Sequence, residues 1–210
     1  MIVDSAIVIG NGESRKPIDI QKLTGRIILI GCNAIHRDAI VDHLICVDNR
    51  MVEEAVSNIN TCETKIYVRP SSYNLFHNVK NQKNILLVPP IPNQSTDRID
   101  QPRNWGSGSF ALLVASQLPK INKIYLLGFD LYGINSFVNN FYKNTKNYSD
   151  EQSHAINPDY WIRQSLKIFK LNPDKEFVII NQPAWKIPDQ WRLSNVRVEL
   201  VEDFKTEFAI

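Results

Sequence analysis

The sequence predicts an α/β domain with a mostly parallel central sheet and helices on both faces. Three observations carry this prediction. Short apolar runs without polar alternation recur along the chain, AIVI at Ala6–Ile9 and RIILI at Arg26–Ile30 among them, as expected of strands covered on both sides. Stretches of helical periodicity or mixed polarity separate these runs, which is the rhythm of βαβ units. Several runs end at a small residue with Asn or Asp close behind: Gly10-Asn11, Cys32-Asn33 and Gly128-Phe129-Asp130. In an open parallel sheet that carboxyl edge is where ligands bind.

The first strand, Ala6–Ile9, breaks into Gly10-Asn11-Gly12-Glu13-Ser14, a turn of phosphate size. Glycine lets the backbone approach a ligand, and the Asn11 amide can donate and accept. A helix starting just after Ser14 turns its free N–H groups toward the same spot, whereas an ordinary strand-to-helix turn uses glycine equally well. The GxGxxG spacing is absent, which argues against NAD, and Pro17 keeps any helix here short or late. Ile18–Leu23 reads as a short amphipathic element, Arg26–Ile30 as the second strand and Asp42–Asp48 as the third. His36 to Asp38 lie on a short helix or loop between them. Asn33 is a ligand contact or a turn cap. Asp48 contacts a ribose hydroxyl or the substrate, or else caps a helix over Arg50–Ser57 whose Met51, Val52, Ala55 and Val56 make a core face.

Lys65–Val68 and Ile85–Val88 read as the fourth and fifth strands. Residues 89–104 are rich in proline and polar side chains and form a long loop rather than a regular element. Trp105–Ser109, WGSGS, opens a helix over Phe110–Gln117. Ser107 and Ser109 around Gly108 offer hydroxyls and amides to an anion, or serve simply as the helix cap. Lys123–Gly128 is a further strand and places Asp130 at the same edge as Asn11 and Asn33. Residues 133–157, polar and aromatic, form a flexible or lid-like segment. A helix over Asp159–Lys170 shows Trp161, Ile162, Leu166 and Phe169 on one face, Phe177–Ile180 is a strand, and Val196–Val201 adds an edge strand. One domain over residues 1–210 accommodates all of this.

A net charge of +2 is too small to point to a polyanion, so no nucleic-acid partner is expected. No apolar run approaches the roughly 18–20 residues that cross a bilayer, and no signal-peptide pattern opens the chain, so a cytoplasmic location is expected. Cys32, Cys46 and Cys62 show no CxxC spacing and read as reduced core residues. His36, His43, His77 and His154 show neither HxxxH nor HxH spacing, so no metal site is expected.

Three pieces of the sequence together resemble a known family. GNGES after the first strand, GCNA after the second, and GSGSFALLVASQLPKINKIYLLGFDLY followed by a polar lid and an SH pair before a helix are similar to the bacterial sialyltransferases of glycosyltransferase family 42. They also resemble a wider Rossmann-like group that includes motility accessory factors and archaeal pterin pyrophosphokinases. The resemblance runs from Ile7 to Asn181 and implies a single Rossmann-like domain with a lid. It implies an enzyme that takes a sugar from a CMP-linked donor, without a metal or other cofactor, and passes it to a glycan acceptor; a homo-oligomer is compatible with it.

By this resemblance Asn11, Gly12 and Asn33, with Ser14 in the same turn, contact CMP. Ser107 and Gly108 lie near the sugar or phosphate, and Gly128 and Asp130 beside the cytidine ribose and base. Tyr132 and a lid tyrosine, Tyr142 or Tyr148, stabilise the departing phosphate. The relatives run SHxxGH with the second histidine as general base, a role that suits imidazole near neutral pH. Here Asn157 and Pro158 stand where GH falls, and His154 is the histidine on offer.

Two other readings stay open. A pyrophosphate-transferring enzyme of the pterin-kinase type needs Mg²⁺ and carboxylates converging on phosphates, and Asp48 and Asp130 are the available pair. A nucleotide- or glycan-binding module without catalysis accounts for the missing second histidine, with Trp161, Trp185 and Trp191 free to serve a binding surface.

Overall fold

The computed structural model describes residues 4–58, 64–76, 84–92 and 105–210. Eight strands form one sheet: β1 (Ser5–Ile9), β2 (Ile28–Cys32), β3 (His43–Ile45), β4 (Lys65–Val68), β5 (Ile85–Leu87), β6 (Lys123–Leu127), β7 (Glu176–Asn181) and β8 (Val196–Leu200). Every pairing is parallel, in the order β5-β4-β3-β2-β1-β6-β7-β8. The chain therefore starts in the middle, steps outward to β5, and returns to the other side of β1 for β6. Loops leaving β1 and β6 diverge there, and such a point of reversal opens a crevice at the carboxyl edge.

β1 shows why its apolar run does not alternate. Ile7 and Ile9 face one core, with α1 (Asn49–Asn58) and α5 (Val201–Phe208), while Ala6 and Val8 face a second core under α3 (Ser107–Gln117) and α4 (Asp159–Leu171). α3 is buried nearly all round because it lies across β1, β2 and β3, so its sequence lacks a polar face. In α1, Met51, Val52 and Ala55 are buried as their spacing predicts, and Val56 packs at the margin.

Several boundaries differ from expectation. β2 runs two residues later than Arg26–Ile30, so Gly31 and Cys32 belong to the strand, where Ile35 covers Gly31 too closely for a side chain. β3 has only His43–Ile45 of the anticipated Asp42–Asp48; Asp42 instead accepts from Leu29 N at 2.8 Å through its carboxylate. Ile18–Leu23 contains a single 3-10 turn, Ile20–Leu23, begun by Asp19. α3 begins at Ser107 after Gly106 as its cap, so neither serine acts as the cap. The buried residues of α4 are Ile162, Gln164, Ser165, Ile168 and Phe169, with Trp161 and Leu166 only partly covered. Trp191 is wholly buried and donates to Ile162 O at 3.0 Å, which removes it from any binding surface.

Two helices, α2 (Pro70–Phe76) and α5, are additions to the predicted set. α5 packs Phe204 and Phe208 edge-on against Tyr125, with ring centroids 5.5 and 5.3 Å away. Cys62, His77 and residues 93–104 of the long loop lie outside the described residues. Cys32 and Cys46 are buried and unoxidised, and burial pushes the Cys32 thiol up to about 12.

Residues 133–157 contain turns and bridges but no helix, and they are fastened to the body rather than loose. Arg15, 1% exposed, holds Tyr142 by its hydroxyl at 2.8 Å and Asp38 at 3.2 Å, with its guanidinium 3.9 Å above the Phe141 ring. Arg37 grips Glu54 with two bonds of 2.6 and 2.8 Å and reaches Thr145 Oγ1 and Lys146 O. Asn147 donates to the same Glu54 at 2.8 Å.

Candidate functional site

A cleft of about 520 Å³ opens at the carboxyl edge of the sheet, over the ends of β1, β2, β3 and β6. One wall is the first turn. Gly10 N donates to Leu127 O at 2.8 Å and Gly12 N to Gly128 O at 2.9 Å, which tie the turn to the end of β6. Gly128 has φ +67°, a region glycine enters without a steric penalty. Gly12 sits so close to Asp130 that a Cβ would lie 2.3 Å from the carboxylate carbon.

The turn is not the anion cradle that its glycines suggest. Past Ser14 there is one 3-10 turn, Glu13–Arg15, rather than a helix, because Pro17 follows at once. Glu13 N donates to Asn139 Oδ1 and Ser14 N to Asp130 Oδ2, both at 2.9 Å. Ser14 Oγ donates to Asp130 Oδ1. Asp130, 6% exposed, thus spends both carboxylate oxygens on Ser14, and its carbonyl accepts from Trp185 Nε1 at 2.7 Å. Asp130 lines the cleft while Ser14, outside the lining, braces it from behind.

Asn11 is the exception on this wall. Its Nδ2 donates to Tyr148 O–H at 3.1 Å, and its Oδ1 is buried without a partner. Because a tyrosine hydroxyl both donates and accepts, the amide can satisfy Tyr148 from either end. Its other end can then accept from a hydroxyl or amine, or donate to a phosphate. Tyr148 also accepts from Ala34 N at 3.4 Å, and burial pushes its phenol up, so its proton stays available.

Asn33 stands at the end of β2 with φ +51° and opens the 3-10 turn Asn33–Arg37. Its side chain is not a cap: Oδ1 accepts from Ser107 Oγ at 2.8 Å, and Ser107 Oγ in turn accepts from Val47 N at 3.3 Å. One serine thus joins the ends of β2, β3 and the start of α3, with Gly108 beside it in the lining. Asp48 also lines the cleft; its carbonyl accepts from Met51 and Val52 at the start of α1, while its carboxylate, exposed, makes no cap bond.

The structure gathers Asn11, Gly12, Asn33, Asp48, Ser107, Gly108, Gly128, Asp130, Tyr132 and Tyr148 around one cavity. Tyr132 is 39% exposed at the rim, and its phenol is raised by burial and by Asp189 and Asp159. Tyr142 is not among them, being held between Arg15 and Asp38. His154 is not either. It is exposed, with its ring stacked on Phe137 at 5.9 Å, while its neighbours Ala155 and Ile156 line the cleft. An isolated antiparallel bridge joins Phe137 to His154.

The opposite wall holds residues that sequence reasoning missed. Arg69, directly after β4, is the one cationic side chain in the lining among the described residues; Nη2 donates to Trp105 O at 3.2 Å and Nε is buried without a partner. A charged residue closing the strand KIYV was the available signal, obscured by Pro70. Tyr160 and Trp161, from the first turn of α4, complete this wall; burial pushes the Tyr160 phenol up.

No protein-family model and no curated protein matches the sequence. Solved structures do match the fold. The sialyltransferase CstII from Campylobacter jejuni, in complex with the substrate analogue cytidine-5'-monophosphate, is 18% identical, with 87% of this chain and 81% of that chain covered and a TM-score of 0.54. A structure of the sialyltransferase CST-II with trisaccharide acceptor and CMP is 16% identical, covers 98% of this chain and 99% of that one, and has the same TM-score of 0.54. The chain is similar in fold to these sialyltransferases over nearly its whole length.

Proposed function

We propose that the protein is a sialyltransferase-like glycosyltransferase that takes a sugar from a CMP-linked donor. The observation that carries this reading is the cluster at the point of reversal, where Asn11, Tyr148, Asn33 and Ser107 meet over the ends of β1 and β2. It supplies neutral donors and acceptors suited to ribose, base and phosphate. Likeness in fold to structures holding CMP supports the same placement. Arg69 adds a fixed positive charge for an anionic group of the donor, a contact that a charge-assisted bond strengthens. Tyr148 and Tyr132, both kept protonated, donate to the phosphate as it departs. Direct attack by an acceptor hydroxyl inverts the anomeric carbon, and no metal is needed where phenols and a guanidinium carry the leaving charge.

The acceptor's proton needs a destination. His154 stacks on Phe137 outside the cleft lining, and Asp130 is bonded to Ser14, which also weakens the pyrophosphate-transfer reading with its paired carboxylates. Asp48 is the cleft carboxylate that retains a free side chain, and we assign it the role of general base. The position of His154 outside the lining gives one specific reason to keep a second reading, a nucleotide-binding module without transfer.

Calorimetric and thermal-shift titration with CMP, with and without Mg²⁺, tests the nucleotide site. CMP at 100 times its dissociation constant adds about 2.7 kcal/mol of stability. Metal-independent binding together with hydrolysis of a CMP-sugar supports the enzyme, and Asp48→Asn then abolishes turnover while sparing CMP affinity. Binding without turnover selects the second reading, and absence of CMP binding overturns both.

A further inference from the structure

The two edges of the sheet differ in what they leave open. β5 is three residues long, and Pro89 and Pro90 follow soon after, features that blunt an edge. β8 is five residues, VRVEL, with no proline or glycine. Phe177 N donates to Asn195 O, so Asn195, Arg197 and Glu199 turn their backbone groups toward β7. Val196, Val198 and Leu200 turn theirs outward. Val196 N–H is taken by Leu193 O at 3.1 Å, and Leu200, the residue that caps α5, gives its carbonyl to that helix. What remains is a symmetric set: Val196 C=O, Val198 N–H and C=O, and Leu200 N–H.

We propose that β8 is a self-pairing edge, at which two copies of the chain join antiparallel about a two-fold axis through Val198. Val198 of each copy exchanges both its hydrogen bonds with Val198 of the other. Leu200 N–H reaches Val196 C=O across the axis, and the reverse. All four open groups are used and none is left over. The side chains agree with this register. Arg197 of one copy falls directly opposite Glu199 of the other, in the close, non-hydrogen-bonded position where opposite charges stabilise a pair. Val198 and Leu200, each 39% exposed in the single chain, meet Val198 and Val196 of the second copy. An edge guarded against pairing carries charges that repel their own image; these attract theirs. Within the chain Arg197 already contacts Glu176 and Glu199 at 2.6 Å, so the second copy closes an alternating ring of charges. The contact is isologous, closes on itself and leaves the cleft free at the carboxyl edge.

Sedimentation of the full chain across the micromolar range, with light scattering, tests this. The expected result is twice the mass of one chain. Val198→Pro removes only an outward N–H, so it should give a monomer with an unchanged circular dichroism spectrum. Glu199→Lys alone sets Arg197 against a lysine, and Arg197→Glu alone sets two glutamates together, so each should be monomeric. Mixed one to one, their charges complement at both contacts, and a heterodimer should form. A wild-type monomer throughout the range overturns the proposal, as does a dimer unmoved by Val198→Pro. Should that variant not fold, the mixture decides: failure of the two charge variants to associate overturns the pairing.

Discussion

The two walls of the cleft satisfy their polar groups in opposite ways. On the wall of β1 and β6, Gly10, Gly12, Glu13 and Ser14 give their amides to the protein, and Asp130 takes the Ser14 amide together with the Ser14 hydroxyl. On the wall of β4 and α4, Arg69 keeps a buried Nε without a partner. A wall that answers its own hydrogen bonds holds shape, whereas one with groups outstanding waits for a ligand to complete it. Asn11 belongs in sequence to the first wall and in chemistry to the second, since its buried Oδ1 is open.

This contrast can be broken by mutation. The largest effect is expected from Asp130→Ala, which strands two donors of Ser14 and should cost about 3 kcal/mol of stability in urea unfolding. Stability unchanged there, with CMP binding lost, reverses the assignment of the first wall. Gly12→Ala should cost about 2 kcal/mol, because a Cβ there overlaps the Asp130 carboxylate and the turn must shift. On the other wall, Arg69→Ala should leave unfolding within about 1 kcal/mol of wild type while weakening CMP or CMP-sugar binding about 10- to 100-fold by calorimetry. Equal loss of stability and affinity would show Arg69 to be a strut to Trp105 O instead.

The smallest effect concerns pH. Arg37, by its paired hydrogen bonds and against the effect of burial, holds the Glu54 carboxyl below its ordinary 4.5, with Asn147 assisting. A carboxyl depressed by folding contributes stability that is fully present above 4.5 and is lost as pH falls through its lower folded value. Glu54→Gln should therefore lower the melting temperature at neutral pH and flatten its decline in acid. A decline as steep as wild type would place the acid sensitivity elsewhere.

The sheet was legible because strands buried on both faces leave continuous apolar runs, and Asn11, Asn33 and Asp130 came with it as residues at strand ends. Their partners were not legible. Whether Asp130 meets a ligand or Ser14 depends on a contact 116 residues distant along the chain. α5 shows Val201, Phe204 and Phe208 at helical spacing, yet it follows β8 without a break, so the strand reading ended at Val201 and the helix beyond it went unread. Nor was it legible that His154 stacks on Phe137 while Ala155 and Ile156 line the cleft, because that contact joins two turns of the segment 133–157. Arg69 and Tyr160 reach the cleft only through the packing of β4 and α4 around it.

Phe141 N–H donates to Asn11 O at 2.6 Å, joining the segment 133–157 to the residue that carries the open amide. The segment and Asn11 therefore share one anchor. A shift at Asn11 is passed to residues 133–157 through that bond, while the Arg15 contact to Tyr142 and the Glu54 contact to Asn147 hold the segment from behind. The stiffness of the open amide is thus lent by residues far along the chain, with Tyr148 bonded to its other end.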